Sequence, residues 1–186
     1  MSKKKKILIL GGEGFIGRNL YNKLKINYSV TKFGSRKDKS KYINLKNLKN
    51  LNKNFDFIVN CAGDTRRATI LSTEEELFDD MIAVNLKAPF FLIQDVVKIM
   101  KKKKIKGAIA SVISMSSYSG NVFKTPYSAS KAGLVNLTRS VGWALARDKI
   151  KVNGLNLGWT NTPGEDKIIN RYVTKDKNWA KKLGKK

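Results

Sequence analysis

Tyr127 and Lys131 stand four residues apart in the stretch TPYSASKAGL, residues 125–134. On an α-helix that spacing puts both side chains on one face, within reach of a common site. A phenol with its ordinary pKa of about 10 is a poor acid–base group near neutrality. An ammonium beside it favours the phenolate and lowers that pKa, so the two residues form a candidate proton-transfer pair. Ala129 and Ala132, with Ser128 and Ser130, leave room for a flat cofactor to pack against the same helix. The same spacing also occurs between ordinary surface residues, and the chain carries 38 Lys and Arg against 14 Asp and Glu. Lys131 therefore reads either as the partner of Tyr127 or as one more solvated charge.

A second group with chemical meaning is GGEGFIG, which spaces Gly11, Gly14 and Gly17 between an apolar run and a helical pattern. Glycines at a strand–turn–helix junction let the backbone approach a pyrophosphate, which then rests on the amides of a helix N-terminus. Phe15 and Ile16 complete this candidate cofactor turn. An acid that holds the ribose is expected at the end of the second strand. The residues there are Phe33, Gly34, Ser35, Arg36 and Lys37, with no carboxylate. Ser35 and Arg36 suit a 2′-phosphate, which favours NADP over NAD, unless Arg36 simply belongs to the general basic excess.

Alternating elements must position these groups. The run ILIL before Gly11 reads as a buried strand, followed by a helix with Ile16, Leu20 and Leu24 on one face. YSVTKFGSR alternates as a second strand, YINLKNLKNL is a weak segment, and FDFIVNCAG is another buried strand. From Thr73 to Met100 apolar residues recur at helical spacing, with Ser72 and Thr73 as caps, acids in the first turn and Pro89 as a kink or boundary. GAIASVISM is a strand, and Thr125 as N-cap with Pro126 opens an amphipathic helix to about Arg147. KVNGLNLGW is a last strand. Strands alternating with helices predict a Rossmann-like, doubly wound parallel sheet in a three-layer α/β/α domain over residues 1–163. Residues 164–186 read as a substrate flap or a frayed basic end.

Composition narrows the chemistry. The 186 residues, 41% hydrophobic, suit one domain with a real core, and no histidine is present. That absence removes Ser-His-Asp hydrolysis, histidine metal sites and histidine bases, and no metal site is expected. A single cysteine, Cys61, excludes an internal disulfide framework and fits a reducing compartment. No run approaches the roughly 20 apolar residues of a membrane span, and the N-terminal apolar stretch is too short for a signal peptide, so a cytoplasmic location is expected. The formal charge of +24 is spread over several lysine runs without interleaved aromatics, so no specific nucleic-acid function is expected.

GGEGFIG, then NCAG at 60–63, VNL around Asn85, a serine-rich strand end and YSASKAG together resemble the short-chain dehydrogenase/reductase family, from about Lys6 to Glu165. The resemblance implies hydride transfer between NAD or NADP and an alcohol or carbonyl. It makes Tyr127 the acid–base residue, with Lys131 lowering its pKa and holding the nicotinamide ribose. Asn85 would organise a helix kink and a water of the proton relay; Asn60, Ala62 and Gly63 would support the sheet beside the adenine ribose. The serine that polarises the carbonyl is a choice among Ser114, Ser116, Ser117 and Ser119. Counts from Tyr127 and from Gly107 select Ser114, whereas Gly120, three residues after Ser117, selects Ser117. In NLGWTNTPGE, Gly158 and Thr162 match a segment that meets the nicotinamide amide, with Leu157 in place of the family's proline. This version is most like sugar- or polyol-type dehydrogenases.

The glycine spacing is that of the family's extended branch, which includes nucleotide-sugar epimerases. Asn44 stands where an adenine-contacting aspartate is often found. The chain is shorter than the family's usual one, so a final strand and helix are expected to be missing. The leading expectation is an NADP-preferring oxidoreductase acting on a small polar, sugar-like molecule. A nucleotide-sugar epimerase or reductase, and a cofactor-binding protein without turnover, are the alternatives. The helices at 73–100 and 126–147 resemble those of the family's four-helix interface, which implies a homodimer or homotetramer.

Overall fold

A computed structural model describes residues 4–34, 54–160, 162–172 and 175–176. Ser35 and Arg36, Asn44 and the YINLKNLKNL segment lie outside the described residues. The chain divides into two compact units, Met1–Asn156 and Leu157–Lys186, and each is described by itself.

The strands β1 (Lys6–Leu10), β2 (Ser29–Phe33), β3 (Phe57–Asn60), β4 (Ala108–Ser114) and β5 (Lys151–Leu157) form one sheet in the order β2-β1-β3-β4-β5. β1 runs parallel to both β2 and β3, and β3 runs parallel to β4. Ile7 to Leu10 of β1 are all buried, as a central strand covered on both faces requires. Between strands lie α1 (Phe15–Leu24), α2 (Glu75–Ile82), a π-helical turn (Ala83–Lys87), α3 (Ala88–Lys102), α4 (Ser116–Ser119) and α5 (Thr125–Ala144). α6 (Pro163–Tyr172) belongs to the second unit. The expected α/β doubly wound sheet is what the chain forms.

The core explains why these segments fold together. Leu8, Leu10, Ile58 and Ile109 of the sheet pack with Leu92, Ile93, Val96 and Met100 of α3. Each fully buried Leu or Ile contributes about 1.5–3 kcal/mol. Ile113 of β4 packs with Leu134 and Val135 of α5 in a second cluster. Strand register then lines up three strand ends. Leu10 is opposite both Phe33 and Asn60, and Asn60 is opposite Ser111. The order reverses around β1, and ligands of such sheets bind at that switch point, beyond the carboxyl ends of the strands.

Some local expectations are corrected. Ser72 and Thr73 do not cap α2; its N-cap is Glu74, without a side-chain cap bond. Ser72 instead exchanges hydrogen bonds with Thr69, whose Oγ1 accepts from Ser72 N at 3.2 Å while Ser72 Oγ accepts from Thr69 N at 3.0 Å. The N-cap of α5 is Lys124, not Thr125, and the helix ends at Ala144 rather than near Arg147. Thr125 is already helical, and its N–H is taken by Ala68 O at 3.1 Å, which ties two loops together. Ile16 is not on a buried face: it is exposed, and Gly17 is the buried residue of α1. Pro89 is a boundary: it opens α3 just after the π turn, where it interrupts no α-helical bond.

Candidate active site

Whether Lys131 is a solvated charge is decided by burial: it is 3% exposed, and Tyr127 is 8% exposed. Tyr127, Lys131, Leu134, Val135 and Thr138 are the buried stripe of α5, at the spacing one helix face requires. Lys131 Nζ donates to Val112 O at 3.0 Å, two residues before the end of β4, and lies 5.8 Å from the Tyr127 ring centroid. Lys124 Nζ lies 5.5 Å from the same ring. Burial lowers the Lys131 pKa from its ordinary 10.5 to about 8, opposed by the nearby Cys61. Burial likewise pushes the Cys61 thiol up to about 11, opposed by the Lys131 charge.

Asn85 sits in the π turn and is 0% exposed. Its Oδ1 accepts from Asp64 N at 2.8 Å, and its Nδ2 donates to Asp64 O at 3.0 Å and Ser130 Oγ at 2.9 Å. Ser130 Oγ in turn donates to Tyr127 O at 2.7 Å. The asparagine thus clamps the loop after β3 and joins it to the helix that carries Tyr127. Gly63 lies between the two groups: a Cβ there would stand 3.5 Å from both Asn85 Oδ1 and Lys131 Nζ. Ser114 ends β4, with Oγ accepting from Ser116 N at 3.2 Å. Ser117 is in α4 and donates its hydroxyl to Ser114 O.

The glycine turn follows β1 at the same sheet edge. Gly11 has φ of 70°, and a Cβ there would fall 2.6 Å from Ala62 N, so only glycine suits both the turn and the approach of the NCAG backbone. Asn60 Oδ1 accepts from Ala62 N at 3.1 Å, which fixes that backbone. Gly17 packs onto the turn, since its Cβ would lie 2.3 Å from Gly11 O. α1 has no side-chain cap and no acid in its first turn. Its leading N–H groups have no intrahelical partner, and with Phe15 and Ile16 exposed this helix start is chemically fitted to a phosphate.

Three residues that sequence reasoning did not single out complete the surroundings. Arg66 bonds Asp64 through Nε at 2.8 Å and the buried Asp80 through Nη2 at 2.7 Å. Those hydrogen bonds, Asp64 first, raise the Arg66 pKa against the effect of burial. Asp80 is in α2, five residues before Asn85, so the bridge fixes the loop that Asn85 clamps. The only available signal was proximity to NCAG and VNL. Gly158 and Thr162 belong to the second unit. There Gly158 O accepts from Thr160 Oγ1 at 3.2 Å, and Thr162 Oγ1 accepts from Glu165 N at 3.2 Å at the start of α6.

A sequence profile described as short chain dehydrogenase matches residues 19–172. The chain belongs to the short-chain dehydrogenase family. It is 32% identical over 165 residues to the 3-oxoacyl-(acyl-carrier-protein) reductase FabG of Rickettsia prowazekii, covering 88% of this chain and 66% of that protein. It is 35% identical over 118 residues to the human (3R)-3-hydroxyacyl-CoA dehydrogenase, covering 63% of this chain and 45% of that protein. The chain therefore matches from under half to about two thirds of the length of these curated relatives. The solved structure of a 4-hydroxyisoleucine dehydrogenase complexed with NADH superposes with a TM-score of 0.78 at 26% identity, covering 90% of this chain and 81% of that one. In this short-chain dehydrogenase, as described, the Tyr127–Lys131–Asn85 cluster and the glycine turn occupy neighbouring ends of β1, β3 and β4. No helix among the described residues is long and apolar enough to cross a membrane.

Proposed function

We propose that the chain is an NAD(P)-dependent oxidoreductase that moves hydride between nicotinamide and a hydroxyl or carbonyl of a small polar substrate. The observation that carries this reading is the buried Lys131, whose ammonium is held beside Tyr127 at the end of β4. Burying a lysine with no carboxylate partner among the described residues is costly, so its place there points to chemistry rather than packing. The nicotinamide, when bound, supplies or accepts the hydride. Tyr127 gives or takes the hydroxyl proton, with Ser114 donating to the substrate oxygen and Ser117 as the alternate donor. The Lys131 charge stabilises negative charge developing on the phenolic oxygen, and Asn85 holds the loop that frames both. Gly11, Gly14, Phe15, Ile16 and Gly17 receive the pyrophosphate; Asn60, Ala62 and Gly63 line the adjoining strand end.

A second substrate reading is a 3-oxoacyl thioester in place of a sugar-like alcohol, following the named activities of the relatives. It is favoured by Ile70, Leu71, Val122 and Phe123, all well exposed on loops that the Ala68–Lys124 bridge brings together. NAD⁺ or NADP⁺ is expected to raise the thermal midpoint by several degrees, since a ligand at 100 Kd stabilises by about 2.7 kcal/mol. Turnover of acetoacetyl thioesters against sugar phosphates and polyols then separates the substrates. No thermal shift with either nucleotide, and no turnover of either panel, would sink the proposal.

The exposed Phe90 and Phe91 of α3 and Trp143 of α5 support self-association through these helices. A homodimer or homotetramer is the expected mass by light scattering at micromolar concentration. A monomer there would argue against it.

A further inference from the structure

Glu13 stands in the middle of the glycine turn, where a carboxylate is the wrong charge to set beside a polyanion. It is not idle: Glu13 Oε1 lies 2.7 Å from Lys32 Nζ. Lys32 is the penultimate residue of β2, and its stem crosses the turn, since a Cβ on Gly12 would fall 2.8 Å from Lys32 Cβ. The same ammonium is 4.6 Å from the Tyr21 ring centroid, so it is held from two sides. The backbone beneath is also tied, because Gly11 N and Gly12 N both donate to Phe33 O, at 2.9 and 3.2 Å. The ion pair therefore bridges the turn after β1 and the end of β2. In doubly wound sheets the adenosine ribose of a dinucleotide lies against that junction.

We propose that Glu13, through its pair with Lys32, sets cofactor choice by disfavouring a 2′-phosphate, so that NAD is selected over NADP. The inference rests on the reading of the glycine turn as a dinucleotide site. It is opposite in sign to what Ser35 and Arg36 imply. A 2′-phosphate brings a charge of about −1.5 to −2 at neutral pH. Glu13 repels that charge directly. It also occupies Lys32, a cation at this strand end that would otherwise attract it. An unesterified ribose hydroxyl meets neither obstacle and finds a carboxylate to accept its hydrogen bond.

The test is calorimetric titration of the full chain with NAD⁺ and NADP⁺, and with AMP and adenosine 2′,5′-bisphosphate as fragments. The variants are Glu13→Gln, Lys32→Met and the double substitution. The expected result is that wild type binds NAD⁺ more tightly than NADP⁺, and that Glu13→Gln shifts the ratio toward NADP⁺ about tenfold. The shift should appear equally in the fragments, shrink at high salt and become smaller when Lys32→Met is added, leaving only the part due to direct repulsion by Glu13. Binding of both nucleotides with a ratio that Glu13→Gln leaves unchanged overturns the inference and leaves the dinucleotide reading standing. No binding of either nucleotide by any folded variant overturns both.

Discussion

Replacing Tyr127 by Phe is expected to lower turnover roughly a thousandfold while leaving nucleotide affinity within about twofold. The ring is buried in α5, and Phe keeps its volume, its place over Lys131 and the helix around it. What is lost is the one hydroxyl that the proposed reaction uses to move a proton. Single-turnover absorbance of the reduced nicotinamide separates the two quantities. Turnover that survives within tenfold of wild type would remove Tyr127 from the chemistry.

Lys131→Met should abolish most turnover and, against the usual trend for buried substitutions, stabilise the protein at neutral pH. The sign follows from the pKa. Folding lowers Lys131 from its ordinary 10.5 to about 8, so its charged form is disfavoured in the native state. Below pH 8 the folded chain carries that cost in full. Between pH 8 and 10.5 the unfolded chain binds the proton and the folded chain does not, so this residue makes stability rise with pH. The swing is on the order of 3 kcal/mol, partly offset in the variant because Val112 O loses a donor worth about 1 kcal/mol. Denaturant midpoints at pH 7 and 10 for wild type and variant read this difference directly. A variant less stable than wild type at pH 7, with the same pH slope, would show that Lys131 is structural.

The parts of this site that were legible in the sequence are those encoded over short spans. Tyr127 and Lys131 are one helical turn apart, and Gly11, Gly14 and Gly17 lie within seven residues between a strand and a helix. Local periodicity suffices for both. The links that join these pieces were not legible, because they cross the fold. Arg66 reaches Asp80 across 14 positions and Asn85 reaches Ser130 across 45. Helix ends also escaped. Ser72 was a plausible cap by type, but Thr69 offered it a competing partner three residues away. The role of Glu13 is not legible in the turn itself, since it depends on Lys32, which becomes a neighbour only when β2 pairs with β1.

The π turn around Asn85 has a consequence for how the chain tolerates change. Met81 of α2 and Ile93 of α3 both face the core and are twelve residues apart, where three α-helical turns span about eleven. Ala83–Lys87 absorbs the surplus, closing with the N–H of Ala88 on Ala83 O. The helix thus carries a one-residue insertion that leaves the buried stripes on either side in phase. Losing one residue there would remove the π turn, set Pro89 inside a continuous α-helix where it lacks the N–H for one bond, and take Asn85 away from Asp64 and Ser130. One extra residue thus does two things at once: it lets Pro89 sit at the start of a helical segment and it turns Asn85 inward to bridge the loop after β3 and α5.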